Sequence, residues 1–483
     1  MKKFCVLLSF VCLILFLPLT GCGEKAEKQI SEYEITCTLD ENVLSGSEKV
    51  RFFNDSITTF NELKFNLFSN AYRKGAKRSP VGEEYRYLAY PDGESYGGIE
   101  ILSVKGESEL SYSVGGDDLN VLTVKLAEEV FPGESVTVVI DYRITIANVI
   151  ARLGINDKTV NLAEFYPILC AKDKDGFYEC VYYDLGDPYF SECADYTVNF
   201  TADEKYAVAH AGKKVYAKNQ DGKANYKFRL ENARSFSMVL SESFESVSGK
   251  AGDTVVNYFY YDDETPNESM EYAIKSLKTF SELFGDYAYG EYTVVQTPFI
   301  QGGMEFPTLV MISDSVEKRA YGEVIVHETA HQWWQTAVGN NEIEHAFLDE
   351  GLAEYSTVLF YENNPEYNFT RSALMQISND TYKSFCSVAD KLLGGKNTSM
   401  ERSLKDFSTE YEYVNIVYVK GCIVFDEIRK CVGEKAFFEG LKNYYSENKY
   451  KVATPLDLVS AFAKAGLASE DLINAFIGGT AIM

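Results

Sequence analysis

The sequence predicts an α+β chain of two unlike parts, a β-rich N-terminal half followed by a mixed half whose helices carry a metal motif. Three observations lead there. From about residue 31 to 250 apolar residues tend to recur at every second position. Beyond Thr254 they recur at every third or fourth. Within that later region stands His327-Glu328-Thr329-Ala330-His331, with Glu350 nineteen residues after the second histidine. A period of two belongs to a strand with one buried face, and a period of three to four to a helix with one.

Taken in order, the chain opens with Lys2-Lys3, an apolar run from Phe4 to Leu17, and Leu19-Thr20-Gly21-Cys22. The run is shorter than the roughly 20 residues of a membrane span and ends in small residues, so residues 1–21 are expected to be an export signal. Leu-Thr-Gly-Cys resembles the bacterial lipoprotein lipobox, which implies cleavage before Cys22 and lipidation of its thiol. Residues 22–30 would then be the lipidated cysteine and a polar tether. Two acyl chains suffice for stable anchoring, so the expected location is extracytoplasmic, on the bacterial cell membrane.

Residues 31–250 are expected to form a β-rich domain. Leu122, Val124 and Leu126, then Val136, Val138, Ile140, Tyr142 and Ile144, flank the turn signal Pro132-Gly133. Residues 251–483 are expected to form the second domain. Met270, Ile274, Leu277, Phe280 and Leu283 mark its first helix, and Gly285 ends it. A strand over Tyr292–Gln296 leads to Gly302-Gly303-Met304-Glu305-Phe306-Pro307. Further helices carry the metal motif, the Glu350 segment and Tyr418, and short helices follow beyond about 435.

Residues four apart share a helix face, so His327 and His331 can present imidazole nitrogens to one ion while Glu328 stays free for chemistry. The apolar run Leu352, Ala353, Tyr355, Val358, Leu359 places Glu350 at the start of a second helix, able to supply the third ligand. A histidine third ligand of the metzincin kind would need Gly at 334 and His at 337, where the chain has Trp334 and Ala337. A bare HExxH also suits an amphipathic helix with exposed histidines. Here Val324, Ile325 and Val326 before it and Trp333-Trp334 after it make the helix apolar on several faces, so the histidines should be buried and need partners. The set implies one Zn2+ per chain with an open corner for water. Glu328 is placed to take that water's proton and pass it on to a departing amine. Glu354, four residues after Glu350, could orient a ligand imidazole, although a surface glutamate fits the spacing nearly as well. His345 reads as a surface or capping residue, and His210 is assigned no role.

These residues resemble the zinc aminopeptidases of the aminopeptidase N family, gluzincins in which HExxH is followed by a glutamate within an LNEG-like segment. Phe347-Leu348-Asp349-Glu350-Gly351 stands there. Gly302-Gly303-Met304-Glu305-Phe306 resembles the family's GxMEN motif and Tyr418-Val419-Lys420-Gly421 its YxKG motif, in the family's order. Gly186-Asp187-Pro188-Tyr189-Phe190 with Ala194-Asp195-Tyr196 resembles the end of its N-terminal domain. The resemblance covers roughly residues 30–480. It implies a β-saddle domain followed by a thermolysin-like zinc peptidase catalytic domain, as in a short bacterial lipoprotein form without the family's C-terminal helical domain. It also implies Tyr418 as the donor to the developing oxyanion. Glu305, with Gly302, Gly303 and Met304, would receive the substrate's free α-ammonium group. Phe306 stands where the family has Asn, and Phe347 where Trp is common.

With 72 acidic and 46 basic residues the formal charge is −26, which excludes nucleic acid as an expected partner. Peptides with a free N-terminus are the expected substrates, and a membrane the partner of the lipid anchor alone. Of ten cysteines, Cys5 and Cys12 lie in the signal and Cys22 at the anchor, so an odd seven remain and no complete disulfide framework is implied. Two other readings stay open: a gluzincin endopeptidase, and a surface peptide-binding lipoprotein without catalysis.

Overall fold

The computed structural model describes residues 28–173, 175–392, 397–465, 474, 475 and 477–479. The expected signal, Cys22 and most of the tether lie outside the described residues. No helix among those described is long and apolar enough to cross a membrane.

The β pattern is realised chiefly in three sheets, beside a two-stranded ladder of Lys172–Asp173 and Gly176–Phe177. The largest has seven strands, in the order Lys213–Gln220, Lys223–Ala233, Ala194–Asp203, Ser31–Asp40, Val43–Phe53, Ser135–Thr145, Gly98–Lys105. Strand Ser31–Asp40 shows why: Tyr33, Ile35, Cys37 and Leu39 are buried while Glu34, Thr36 and Thr38 between them are exposed. Strand Ser31–Asp40 runs parallel to Ala194–Asp203, and the other pairs in this sheet are antiparallel. Pro132-Gly133 makes the turn before Ser135–Thr145, with Gly133 at φ 83°. The outer strand Lys213–Gln220 is exposed throughout and carries three lysines, which discourages pairing with another chain. Two four-stranded sheets complete this half, one centred on Phe60–Asn66 and Val121–Val130, the other on Met238–Ser241 and Val160–Leu162.

The second half is built on a five-stranded sheet in the order Glu245–Ala251, Thr254–Tyr260, Glu291–Thr297, Leu309–Ser313, Gly303–Met304. The boundary expected between 250 and 251 therefore falls inside a hairpin, because Glu245–Ala251 pairs with Thr254–Tyr260. Alternation reveals a strand but not the sheet it joins. Helix Pro266–Phe284 buries Met270, Leu277 and Phe280 and ends at Gly285, at φ 124°. The remaining helices, among them Lys318–Ala330, Glu350–Asn363, Arg371–Leu392, Lys420–Val432, Glu434–Asn448 and Pro455–Lys464, pack beside the sheet or on one another. The α+β architecture is thus the one the sequence predicts.

Arg234 ties the two halves together. Its guanidinium donates to the carbonyl oxygens of Ser191 (2.9 Å), Gln335 (2.7 Å) and Lys451 (2.5 Å). Gly339 lies against it so closely that a Cβ there would sit 2.0 Å from the guanidinium carbon. The backbone leaving the metal motif is thereby fixed to the β half.

One buried group in the large sheet is unexplained by packing. Glu48 is fully buried with neither carboxylate oxygen hydrogen-bonded among the described residues, and the nearby Tyr142 hydroxyl also lacks a partner. Burial holds the Glu48 pKa well above the ordinary value. A carboxyl raised on folding contributes no penalty below its unfolded pKa and costs stability as pH climbs from there toward the folded pKa. Glu48→Gln is therefore expected to raise the melting temperature at pH 7. The gain should grow by up to about 1.4 kcal/mol per pH unit above the unfolded value and vanish near pH 4, as thermal denaturation across pH would show.

Candidate metal centre

Helix Lys318–Ala330 carries His327 and Glu328, and His331 caps its C-terminal end. Glu350 begins helix Glu350–Asn363, where the Asp349 side chain accepts from its backbone N–H at 3.0 Å. The two helices pack so that three donor atoms converge. His327 Nε2 and His331 Nε2 are 3.2 Å apart, and Glu350 Oε2 lies 3.3 and 3.2 Å from them. A tetrahedral ion about 2.0–2.1 Å from each ligand requires donors about 3.3 Å apart, so the set fits zinc.

The far side of each imidazole is held as well. His331 Nδ1 lies 3.1 Å from the Trp334 carbonyl oxygen, and His327 Nδ1 lies 3.2 Å from Glu354 Oε2. An Nδ1–H donated to either acceptor leaves the Nε2 lone pair facing the ion, so Glu354 stands where its spacing suggested. Burial alone would lower the His331 pKa, but the Glu350 and Glu305 carboxylates outweigh it and push it up to about 10. Burial pushes the Glu328 carboxyl up to about 7.

Glu328 touches the strand Gly303–Met304. A Cβ on Gly303 would stand 2.3 Å from Glu328 Oε1, so only glycine lets the strand pass. Gly302, Gly303, Met304 and Glu305 line the same cleft of about 360 Å³ as the metal triad, and Tyr418 lines its other wall. Glu305 is 3% exposed and its Oε1 has no hydrogen-bond partner among the described residues. Burial, then Asp187, holds its pKa well above normal.

Tyr418 leaves a π-helical turn, Asn415–Val419, of the kind that often marks functional positions. Its ring lies parallel to that of His327, centroids 5.9 Å apart, with Tyr413 edge-on at 5.8 Å. The adjacent glycine sets its depth: a Cβ on Gly421 would meet the Cα of Gly351 at 2.7 Å, so the two helices touch backbone to backbone. Lys420 is buried and donates to the Thr398 carbonyl oxygen, and burial lowers its pKa to about 8.

All the described residues predicted for the site are brought together, and four others join them. Asp187 and Arg152 form a buried ion pair that lines the cleft from the β half. Tyr413 lines it with a hydroxyl that has no hydrogen-bond partner among the described residues. Gln332 accepts from Thr308 N–H (2.9 Å) and lies within reach of the Phe306 and Glu305 carbonyl oxygens (3.3 and 3.4 Å), fixing the segment that carries Glu305. Only Gly186-Asp187-Pro188 had a signal in the sequence. Phe306 turns toward Tyr189, ring centroids 6.4 Å apart. His210 is a core residue stacked on Phe228, its pKa lowered by burial to about 4. Cys37, Cys170, Cys180, Cys193, Cys386, Cys422 and Cys431 are all free.

A motif helix, a glutamate helix crossing it and a strand edge beside both define the class of HExxH metalloproteins whose third ligand is a glutamate. Residues 268–478 match the Peptidase family M1 domain, in line with the resemblance to the aminopeptidase N family that the motifs carry. The chain is 26% identical over 223 residues to leucine aminopeptidase 2 of Emericella nidulans, a match covering 41% of this chain and 33% of that protein. It is likewise 26% identical over 219 residues to aminopeptidase 2 of Candida albicans, covering 43% and 23%. The match thus spans about a third or less of these relatives' lengths. The fold resembles that of an M1 zinc metallopeptidase from Deinococcus radiodurans, with a TM-score of 0.65 and 16% identity over 94% of this chain and 95% of that one. A mutant of that protein bound to a Tyr-Ser-Ala substrate matches equally, with a TM-score of 0.65 and 17% identity.

Elemental analysis of purified protein is expected to give one zinc per chain, and His331→Ala to give none. Chelation should lower the melting temperature of the wild type and leave that of His331→Ala unchanged.

Proposed function

We propose that this chain is a zinc-dependent aminopeptidase that removes N-terminal residues from peptides. The observation that carries the reading is Glu305, a buried carboxylate with an unpaired oxygen at one end of the cleft that holds the metal triad. Such a group favours an α-ammonium group through a charge-assisted hydrogen bond, and a blocked N-terminus would leave it unpaired.

Zinc, when bound by His327, His331 and Glu350, supplies a polarised carbonyl and an acidified water. Glu328, beside the ligand His327, would hold a proton taken from a water in the cleft and pass it to a leaving amine. Burial raises the pKa of the Glu328 carboxyl, which favours its carrying a proton between the two transfers. The Tyr418 hydroxyl donates to the oxygen on which negative charge develops. Glu354 and the Trp334 carbonyl keep the two imidazoles from turning. Glu328→Gln is expected to keep stoichiometric zinc and to lose at least about 10³-fold in kcat. A peptide acetylated at its N-terminus should be cleaved far more slowly than the free peptide; equal rates would exclude the Glu305 role and favour an endopeptidase.

We further propose that the protein works outside the cytoplasm, tethered through a lipidated Cys22, on peptides there. The lipobox-like Leu19-Thr20-Gly21-Cys22 supports this. Cys22→Ser is expected to shift the protein from the membrane to the soluble fraction after cell lysis, and an unchanged distribution would refute the anchor.

A further inference from the structure

The cleft has a direction. Glu305 is buried beside His331, and Asp187 and His331 are the charged groups that act on it most strongly. On the side of His327, one helical turn before it, stands Glu323, whose charged neighbours are Glu354 and His327. Both Glu323 and Glu354 line the cleft, Glu323 exposed to solvent and Glu354 partly so. A peptide with its ammonium group at Glu305 and its first carbonyl at the triad therefore continues toward Glu323 and Glu354.

The charges along that path do not balance. Asp187 is matched by Arg152, Glu305 would be matched by the substrate's amine, and Glu328 and Glu350 belong to the metal centre. Glu323, Glu354, Glu410 and Asp184 also line the cleft, while Arg152 is its one Lys or Arg among the described lining residues. Glu354 is occupied on one oxygen by His327, and Glu410 accepts from the Tyr85 hydroxyl at 2.8 Å. No hydrogen bond or ion pair of Glu323 is found among the described residues. Burial, and then the like charge of Glu354, raises its pKa, while His327 lowers it.

We propose that Glu323, with Glu354 facing it, is a subsite for a cationic side chain just beyond the scissile bond, so that the preferred substrates are peptides with Arg or Lys after the N-terminal residue. This rests on the aminopeptidase reading and adds a substrate class to it. Two carboxylates on one wall of a cleft attract a guanidinium more strongly than a single one would, and repel a carboxylate. The contact lies away from the reacting carbonyl, so it should act on ground state and transition state alike and appear mainly in KM.

The test compares Leu-Arg-Ala, Leu-Gln-Ala and Leu-Glu-Ala as substrates of the purified zinc-loaded protein, measuring release of leucine. Wild type is expected to show kcat/KM about ten-fold higher for the Arg peptide than for the Gln peptide, with the Glu peptide lowest. Glu323→Gln should reduce the Arg-to-Gln ratio to about two, and Glu323→Lys should reverse the order of the Arg and Glu peptides. Raising ionic strength to 0.5 M should shrink the wild-type ratio in the same direction. Turnover of all three peptides at similar rates, or an Arg-to-Gln ratio unmoved by both variants, would overturn the subsite while leaving the aminopeptidase reading intact. No turnover of any of the three would overturn both.

Discussion

The constraint on which the site depends is buried negative charge. Asp187, Glu305, Glu328, Glu342, Asp349 and Glu350 are each at most 7% exposed and cluster around two imidazoles, with Arg152 paired to Asp187. Removing so many carboxylates from water is costly unless cations or protons compensate them. The direction of the shifts shows the strain: burial raises the carboxyls of Glu305, Glu342 and Asp349, while the carboxylates pull both histidines upward. A divalent ion at the triad relieves the repulsion at its centre. Metal binding and the stability of this half are therefore one quantity, and the ligands' spacing is the local expression of a wider electrostatic need.

Glycine permits that density. Gly303 lets an edge strand pass against Glu328, and Gly351 meeting Gly421 lets the glutamate helix touch the helix that follows Tyr418. In each place a methyl group would force apart two elements that must share one ion or one substrate. Gln332 and Arg234 then lock the loops around these contacts with hydrogen bonds to backbone carbonyls.

Much of this was legible in the chain. The i,i+4 histidines and Glu350 were readable because helical spacing alone places them, and Glu354 because it repeats that spacing from Glu350. Period-two patterns located the strands Val121–Val130 and Ser135–Thr145, and helical periodicity located Pro266–Phe284 up to its glycine stop. Tyr418 and Glu305 came from resemblance, since neither is set by periodicity. What escaped were contacts between residues far apart in sequence. Arg152 reaches the cleft only because a β half and a helical half pack together, and Tyr413 only because its helix folds back beside the metal helices. The sheet membership of Glu245–Ala251 was hidden for a related reason, since alternation encodes a buried face but not which neighbour covers it.

The packing of the two halves also bears on which end of a peptide the cleft could accept. Glu305 and Asp187 are 3% and 7% exposed, and the β half closes that end with Arg152, Asp187 and the Tyr189–Phe306 contact. At the other end Glu354, Val414 and Glu323 remain partly or fully open to solvent. A polymer entering such a cleft has room to continue in one direction only. Under the proposed activity, the carboxylate at the closed end acts as both a charge partner and a stop. Phe306 suits this role better than a polar side chain would, since it seals the closed end by packing on Tyr189 and leaves the amine no competing neutral hydrogen-bond partner at that position.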